Sequence, residues 1–356
     1  MGTIWTLRNP GFGAFYSVTY GNGLFVAVGE DGTILTSPDG MTWTARTSGT
    51  GNDLYDVTYG NGLFVAVGRG GTILTSPDGV SWTARASGTG DRLSGVAYGN
   101  GLFVAVGKSG TILTSPDGVS WTRRTSGTSN RLNGVAYENG TFVAVGDFGT
   151  ILTSPDGVTW TAQTSGTGNW LRGVAYENGT FVAVGEGGII LTSPDGVSWT
   201  RRTSGGNALF GVAYGNGRFV AVGDLGTILT SPDGVDWTEQ TSPTSSLLRS
   251  VAYGNGTFVA AGDGGAILTS PDGAAWTLRN SGTSNALSGV TYGNGLFVAV
   301  GGDFSPFSFA SVILTSPDGE NWTARTSGTT DELSGVAYGN GRFVAVGDRG
   351  TILTSP

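Results

Sequence analysis

One phrase, Ser-Pro-Asp-Gly-x-x-Trp-Thr, recurs at near-constant spacing and constrains this chain more than any other feature. Its aspartates are Asp39, Asp78, Asp117, Asp156, Asp195, Asp233, Asp272 and Asp318, at steps of 39, 39, 39, 39, 38, 39 and 46 residues. Its tryptophans are Trp43, Trp82, Trp121, Trp160, Trp199, Trp237, Trp276 and Trp322. A ninth copy is split. The chain stops at Ser355-Pro356 and starts Met1-Gly2-Thr3-Ile4-Trp5-Thr6, so tail joined to head restores the phrase around Trp5 with only the Asp replaced. A length of 356 residues would ordinarily suggest two or three domains. A fixed period overrides that prior and makes residues 1–356 one array of nine units of about 39 residues.

Each unit reads as four strands. In the third, Leu93 to Tyr98 is a short β-prone run, followed by Gly99-Asn100-Gly101 and then Leu102 to Val106. Asn-Gly between two such runs signals a type I′ hairpin, because both central residues need positive φ. The fourth and fifth units replace the leading Gly by Glu138 and Glu177 and keep the Asn-Gly, which places the constraint on that pair. Gly107 to Gly110 is a second turn and Thr111 to Thr114 a third strand; Ser115-Pro116-Asp117-Gly118 is a turn, and Trp121 to Thr125 a fourth strand. No segment has a helical period. Strands one and two are almost continuously apolar, as in a sheet packed on both faces. Strand four alternates Trp and Thr with Arg or Gln, which suits a solvent-facing edge.

Four antiparallel strands per unit, stacked face to face, give the expected fold: an all-β, nine-bladed β-propeller. Residues 1–8 would supply the outer strand of the ninth blade, whose other three strands come from Leu333 to Thr354, and so close the ring. The alternatives are an open array or a strand-exchanged dimer. Closure without bare edges favours a monomer.

Composition excludes several function classes. There is no Cys and no His, so redox thiols, the commonest catalytic base and the commonest metal ligand are absent. The net charge of −8 argues against a nucleic-acid partner. No apolar run reaches membrane-spanning length, and Met1 leads directly into a repeat strand, not into a signal peptide. No cofactor is expected. The 65 glycines fall at fixed repeat positions, as turns require.

The Ser-Pro-Asp-Gly-x-x-Trp element resembles the Asp-box of sialidase-like, BNR-repeat propellers, which lies between the third and fourth strands of a blade. It departs from that pattern in having Asp and Gly adjacent, as in Asp117-Gly118. The repeats also resemble bacterial and photosynthetic assembly-factor propellers. The first resemblance implies a secreted or cell-surface protein. It does not carry over the sialidase active site, since the chain has no Arg-Ile-Pro element. The strand-one tyrosines, Tyr20, Tyr59, Tyr98 and their equivalents, recur in every unit and are read as blade construction.

The eight motif aspartates could be carboxylate ligands, and the nine tryptophans a sugar-binding ladder. Turn capping by the first set and packing under a turn by the second are the stronger readings. Asn139, Asn178 and Asn255 start glycosylation sequons, but within hairpin turns. Function is sought where units differ: the turn from strand two to strand three and the loop between blades. There the residue after the strand-two Gly is Glu30, Asp147, Glu186, Asp224, Asp263 or Asp348 in most units, but Arg69 and Lys108 in units two and three. Arg92, Arg131 and Arg172 follow one another in the loop region. A basic sector over blades two to five and an acidic one around Asp303, Asp331, Glu332, Asp348, Glu30 and Asp31 result; ordinary solubilising charge is the competing reading.

Trp170, the one Trp outside the motif, stands near Arg131 and Arg172 in repeat register, with Phe148 and Phe210 in neighbouring loops. An aromatic flanked by Arg suits a sugar or a protein hot spot. A seven-residue insertion in the eighth unit adds Phe304, Phe307 and Phe309. These observations lead to a non-catalytic scaffold that binds a glycan or a protein on its variable face. Two alternatives are a repeat-amplified or engineered propeller with no evolved ligand and, less favoured, a glycoside-processing enzyme. For the enzyme, carboxylates are plentiful but no pair is singled out.

Overall fold

A computed structural model describes residues 6–7, 15–38, 44–177, 179–202, 206–302, 311–339, 341–348 and 351–355. The motif residues Trp5, Asp39 and Trp43 lie outside them, as do Asp303 and the three insertion phenylalanines. The fold is all-β. The chain forms nine four-stranded antiparallel sheets, eight of them ordered as the sequence runs and the ninth completed by the N-terminal strand beside the last one, with no α-helix among the described residues.

Blade 3 illustrates how the repeat becomes a sheet. Its strands are Leu93–Gly99, Leu102–Gly107, Ile112–Ser115 and Thr122–Arg124. Asn100 and Gly101 join the first two with φ of 48° and 75°, the two positive values that the hairpin needs. Lys108–Gly110, a single 3-10 turn, joins the second to the third. A register shift between Leu93 and Gly95 bulges the first strand. The fourth strand is tied to the third by side chains as well: Arg124 Nε donates to Thr114 Oγ1 at 2.7 Å, and Gln163 in blade 4 does the same to Thr153. The last Arg or Gln of strand four is therefore an internal bond, and the outward charge is the exposed Arg123 beside it.

Burial is not the same for strands one and two, contrary to the expectation. In blades 2–4 the third strand is buried throughout and the second is buried from its second residue on. The first strand is only half buried: Leu93 and Val96 are covered, whereas Ala97 and Tyr98 are partly open. Between blades, one layer supplies the core. Val65, Val67 and Ile73 of blade 2 pack on Leu93, Val96, Phe103, Ala105 and Leu113 of blade 3. The second-strand Phe is fully buried in blades 2–8, each such ring contributing about 2–3 kcal/mol.

The blades fall into two compact units, one holding blades 1–5 and the other blades 6–9 with the N-terminal strand. In the second unit Thr6–Leu7 is the fourth strand of the ninth sheet, with Thr6 opposite Thr354 and Leu7 opposite Leu353. In blade 8 the ladder runs on to Gly302 opposite Ser311, immediately flanking the insertion.

Candidate functional site

Each blade has two differently built ends. At one end the motif closes on itself. Asp117 Oδ1 accepts the Ser115 hydroxyl at 2.9 Å and the Val119 and Ser120 amides at 2.8 and 2.9 Å, while Trp121 Nε1 donates to Gly118 O at 2.9 Å. Asp78, Asp156, Asp195, Asp233, Asp272 and Asp318 repeat the arrangement. These donors hold the carboxyls below the usual carboxylate range. The indole thus packs beneath its own turn, and Phe142–Trp160 and Phe181–Trp199 ring contacts of 6.3 Å hold it there. Motif residues are consumed by construction.

At the other end lie the variable turn and the loop between blades, joined by backbone bonds such as Lys108 N to Arg92 O at 2.8 Å. In the unit of blades 1–5 this end carries a run of aromatic and cationic side chains. Tyr16 and Tyr55 stand 5.4 Å apart, centroid to centroid. The Arg92 guanidinium lies 3.7 Å over the Tyr55 ring, and its Nε is buried with no hydrogen-bond partner. Arg131 reaches Ser94 Oγ at 3.4 Å. Burial, then repulsion from Arg92, lowers the Arg131 pKa. Burial and the bond to Glu30 push Tyr16 up to about 12, and burial raises Tyr55. Further along, Phe148 meets Trp170 edge-on at 6.4 Å, and Arg172, ion-paired with Glu186, lies 5.3 Å over the Trp170 ring.

A pocket of about 450 Å³ opens among these residues, lined by Arg92, Lys108, Arg131, Asp147, Phe148 and their Ser and Asn neighbours. Arg131, Phe148, Trp170 and Arg172 are therefore gathered at one end of the same unit. Phe210 is not part of this group: it belongs to the other unit and lines a pocket with Arg249, Ser288, Glu332, Ser334 and Asp348. Sequence reasoning missed Tyr16 and Tyr55 as members of the group. The signal was available, since the same register position is Ser94, Ser288 or Ser334 in three other blades.

It also missed Asp56, which occupies a position held by Gly95 in the next blade. The Ser17 hydroxyl of blade 1 and its own neighbour's Val57 amide donate to Oδ1, and the Val96 amide of blade 3 donates to Oδ2, all at 2.9 Å. Burial pushes this carboxyl up against the lowering effect of the three donors. Among the described residues no cluster of three or more acidic or other ligating side chains is placed to hold a metal ion, and no helix is long and apolar enough to cross a membrane.

Nine repeated four-stranded sheets and one variable end per blade define a β-propeller. Within it, residues 96–210 match the family described as the DUF6242 beta propeller domain. No curated protein matches the sequence. Among solved structures, YCF48 from Cyanidioschyzon merolae is 17% identical with a TM-score of 0.54, covering 99% of this chain and 98% of its own. The computationally designed Ika8 protein is 13% identical with a TM-score of 0.62, covering 98% of each chain. A YCF48 structure described as bound to a D1 peptide is 18% identical with a TM-score of 0.53, covering 85% of this chain and 91% of its own. At these identities the likeness is one of fold.

Proposed function

We propose that this propeller is a non-catalytic scaffold that binds a protein segment at the variable ends of blades 2–5. One observation carries the reading: Arg92, Lys108 and Arg131 converge on a single pocket, and none forms an ion pair among the described residues. Three cations gathered around a single carboxylate, Asp147, leave the pocket net positive and favour an acidic partner. Guanidinium groups lie over Tyr55 and Trp170, on ring faces that a sugar would otherwise stack against, which weighs for protein over glycan. The one carboxylate lining the pocket, Asp147, accepts from Asn133 at 3.0 Å, and one carboxylate is not the pair that glycoside hydrolysis uses. The likeness to YCF48, one structure of which holds a peptide, supports the same direction. The Asp-capped turn and its Trp, between the third and fourth strands, also fit kinship with Asp-box propellers, although the adjacent Asp and Gly depart from their spacing.

The test is a selection of random dodecapeptides against the full chain, run beside a glycan array. Acidic peptides retained by the native protein and lost on Arg92→Glu with Arg131→Glu are expected. Retention of glycans by both proteins with no peptide selected overturns the proposal.

A further inference from the structure

The second residue of the turn between strands two and three adopts left-handed backbone in seven blades. Gly70, Gly187 and Gly264 take it at no steric cost, and Asp31 and Ser109 are small and polar. Blades 4 and 6 place bulky apolar residues there instead: Phe148 at φ 54°, ψ 37° and Leu225 at φ 52°, ψ 33°. These are also the two most exposed large apolar side chains among the described residues, at 62% and 69%. Such a residue is strained in its backbone and gains nothing from burial, so folding alone gives no reason to keep it.

The two turns differ in their surroundings. Leu225 overlooks a polar recess lined by Asn207, Glu239, Gln240 and Thr244. Phe148 stands beside Trp170 at the rim of the cationic pocket of Arg92, Lys108 and Arg131. Resting on the protein-binding reading above, we infer that Phe148 with Trp170 is the apolar anchor of that site. The partner would be an extended acidic protein segment that sets a bulky apolar side chain against the Phe148–Trp170 edge and its carboxylates in the pocket. Strain at residue 148 is then retained because the left-handed turn projects the ring outward, beyond the blade, where a partner can cover it. Leu225 shares the strain and the exposure but not the cations, which makes it an internal control.

The experiment measures melting of the full chain and the affinity of selected dodecapeptides by fluorescence polarisation for Phe148→Gly, Phe148→Leu and Leu225→Gly. Both glycine variants are expected to melt higher by roughly 1–3 °C through relief of strain. Peptide affinity should fall at least about tenfold in Phe148→Gly, recover in part in Phe148→Leu, and stay unchanged in Leu225→Gly. Selected peptides should carry an aromatic or large aliphatic residue beside Asp or Glu. An empty selection overturns the protein-binding reading and the anchor together. Peptides that bind Phe148→Gly as tightly as the native chain overturn the anchor alone, as do selected peptides without acidic residues.

Discussion

Gly99, at the end of the first strand of blade 3, lies directly beneath the ring of Tyr137 in blade 4; a Cβ on Gly99 would sit 2.0 Å from Tyr137 Cγ. The contact recurs where Gly21 meets Tyr59, Gly60 meets Tyr98, Gly215 meets Tyr253, Gly254 meets Tyr292 and Gly293 meets Tyr338. Tyr137 cannot easily retreat, because its ring packs 4.5 Å from that of Phe142. Gly99→Ala should therefore cost about 1–3 kcal/mol by overpacking. Gly134→Ala has nothing within 4 Å of its Cβ and should change stability by under about 0.5 kcal/mol. Urea unfolding of the two variants checks both values. Equal midpoints would show that the ring, not the glycine, sets the spacing.

This contact also shows where the sequence stopped being legible. Strand number, strand order, the Asn-Gly hairpins and the capped Asp turns are local, so spacing and turn chemistry reveal them. The role of the leading Gly is not local. Glu138 replaces it in blade 4 and is exposed, where Gly60, Gly99 and Gly215 are buried, so that blade lacks the same seat for the next tyrosine. Reading the constraint as resting on Asn-Gly alone missed a contact 38 residues away. The candidate site was half legible for the same reason. Arg131, Phe148, Trp170 and Arg172 break the repeat and stand out, whereas stacking of Arg92 on Tyr55 joins residues of different blades and follows only from their packing.

The motif aspartates make the fold sensitive to acid. Asp78, Asp117, Asp156, Asp195, Asp233, Asp272 and Asp318 all titrate below the ordinary 3.8 because backbone amides bond the ionised form. A lowered folded pKa contributes stability that is present above the unfolded value and is lost as pH falls through the folded one. The contribution of these seven carboxylates should stay level from pH 7 to about 5, and thermal melts should drop steeply below about 4. Asp117→Asn should be destabilising at pH 7 and less so at pH 2.5. A variant equally destabilised at both values would mean that turn geometry, not charge, is what the carboxylate supplies.

Asp56 has the opposite sign. Its folded pKa is raised by burial, so the proton is held more tightly in the folded chain and stability declines as pH rises from the unfolded value through the folded one. Its neighbours on the first strands of blades 1 and 3 contribute only the Ser17 hydroxyl and the Val96 amide. Ser250 shows that a hydroxyl can serve at this position, accepting from the Val290 amide at 3.3 Å. Asp56→Ser should therefore gain melting temperature relative to the native protein between pH 4 and pH 7. A difference that does not change with pH across that interval would contradict a buried, costly carboxylate.

The ninth blade tests whether the two ends of the chain act as one element. Only Thr6–Leu7 flanks the Ile352–Ser355 strand on that side, through Thr6 opposite Thr354 and Leu7 opposite Leu353. In other blades the fourth strand is joined to the third by a tight turn, so closing it costs little chain entropy. Here the same pairing closes a loop of nearly the whole chain, and its loss bares the backbone donors and acceptors of a buried strand. Deleting residues 1–8 should lower the melting temperature by several degrees and make sedimentation concentration-dependent, as bare edges pair between molecules. A synthetic peptide of residues 1–8 added in excess should reverse both effects, since binding only the folded form stabilises it by mass action. If the truncated chain melts and sediments as the native one does, the N-terminal strand is an ornament on a blade that is complete with three strands.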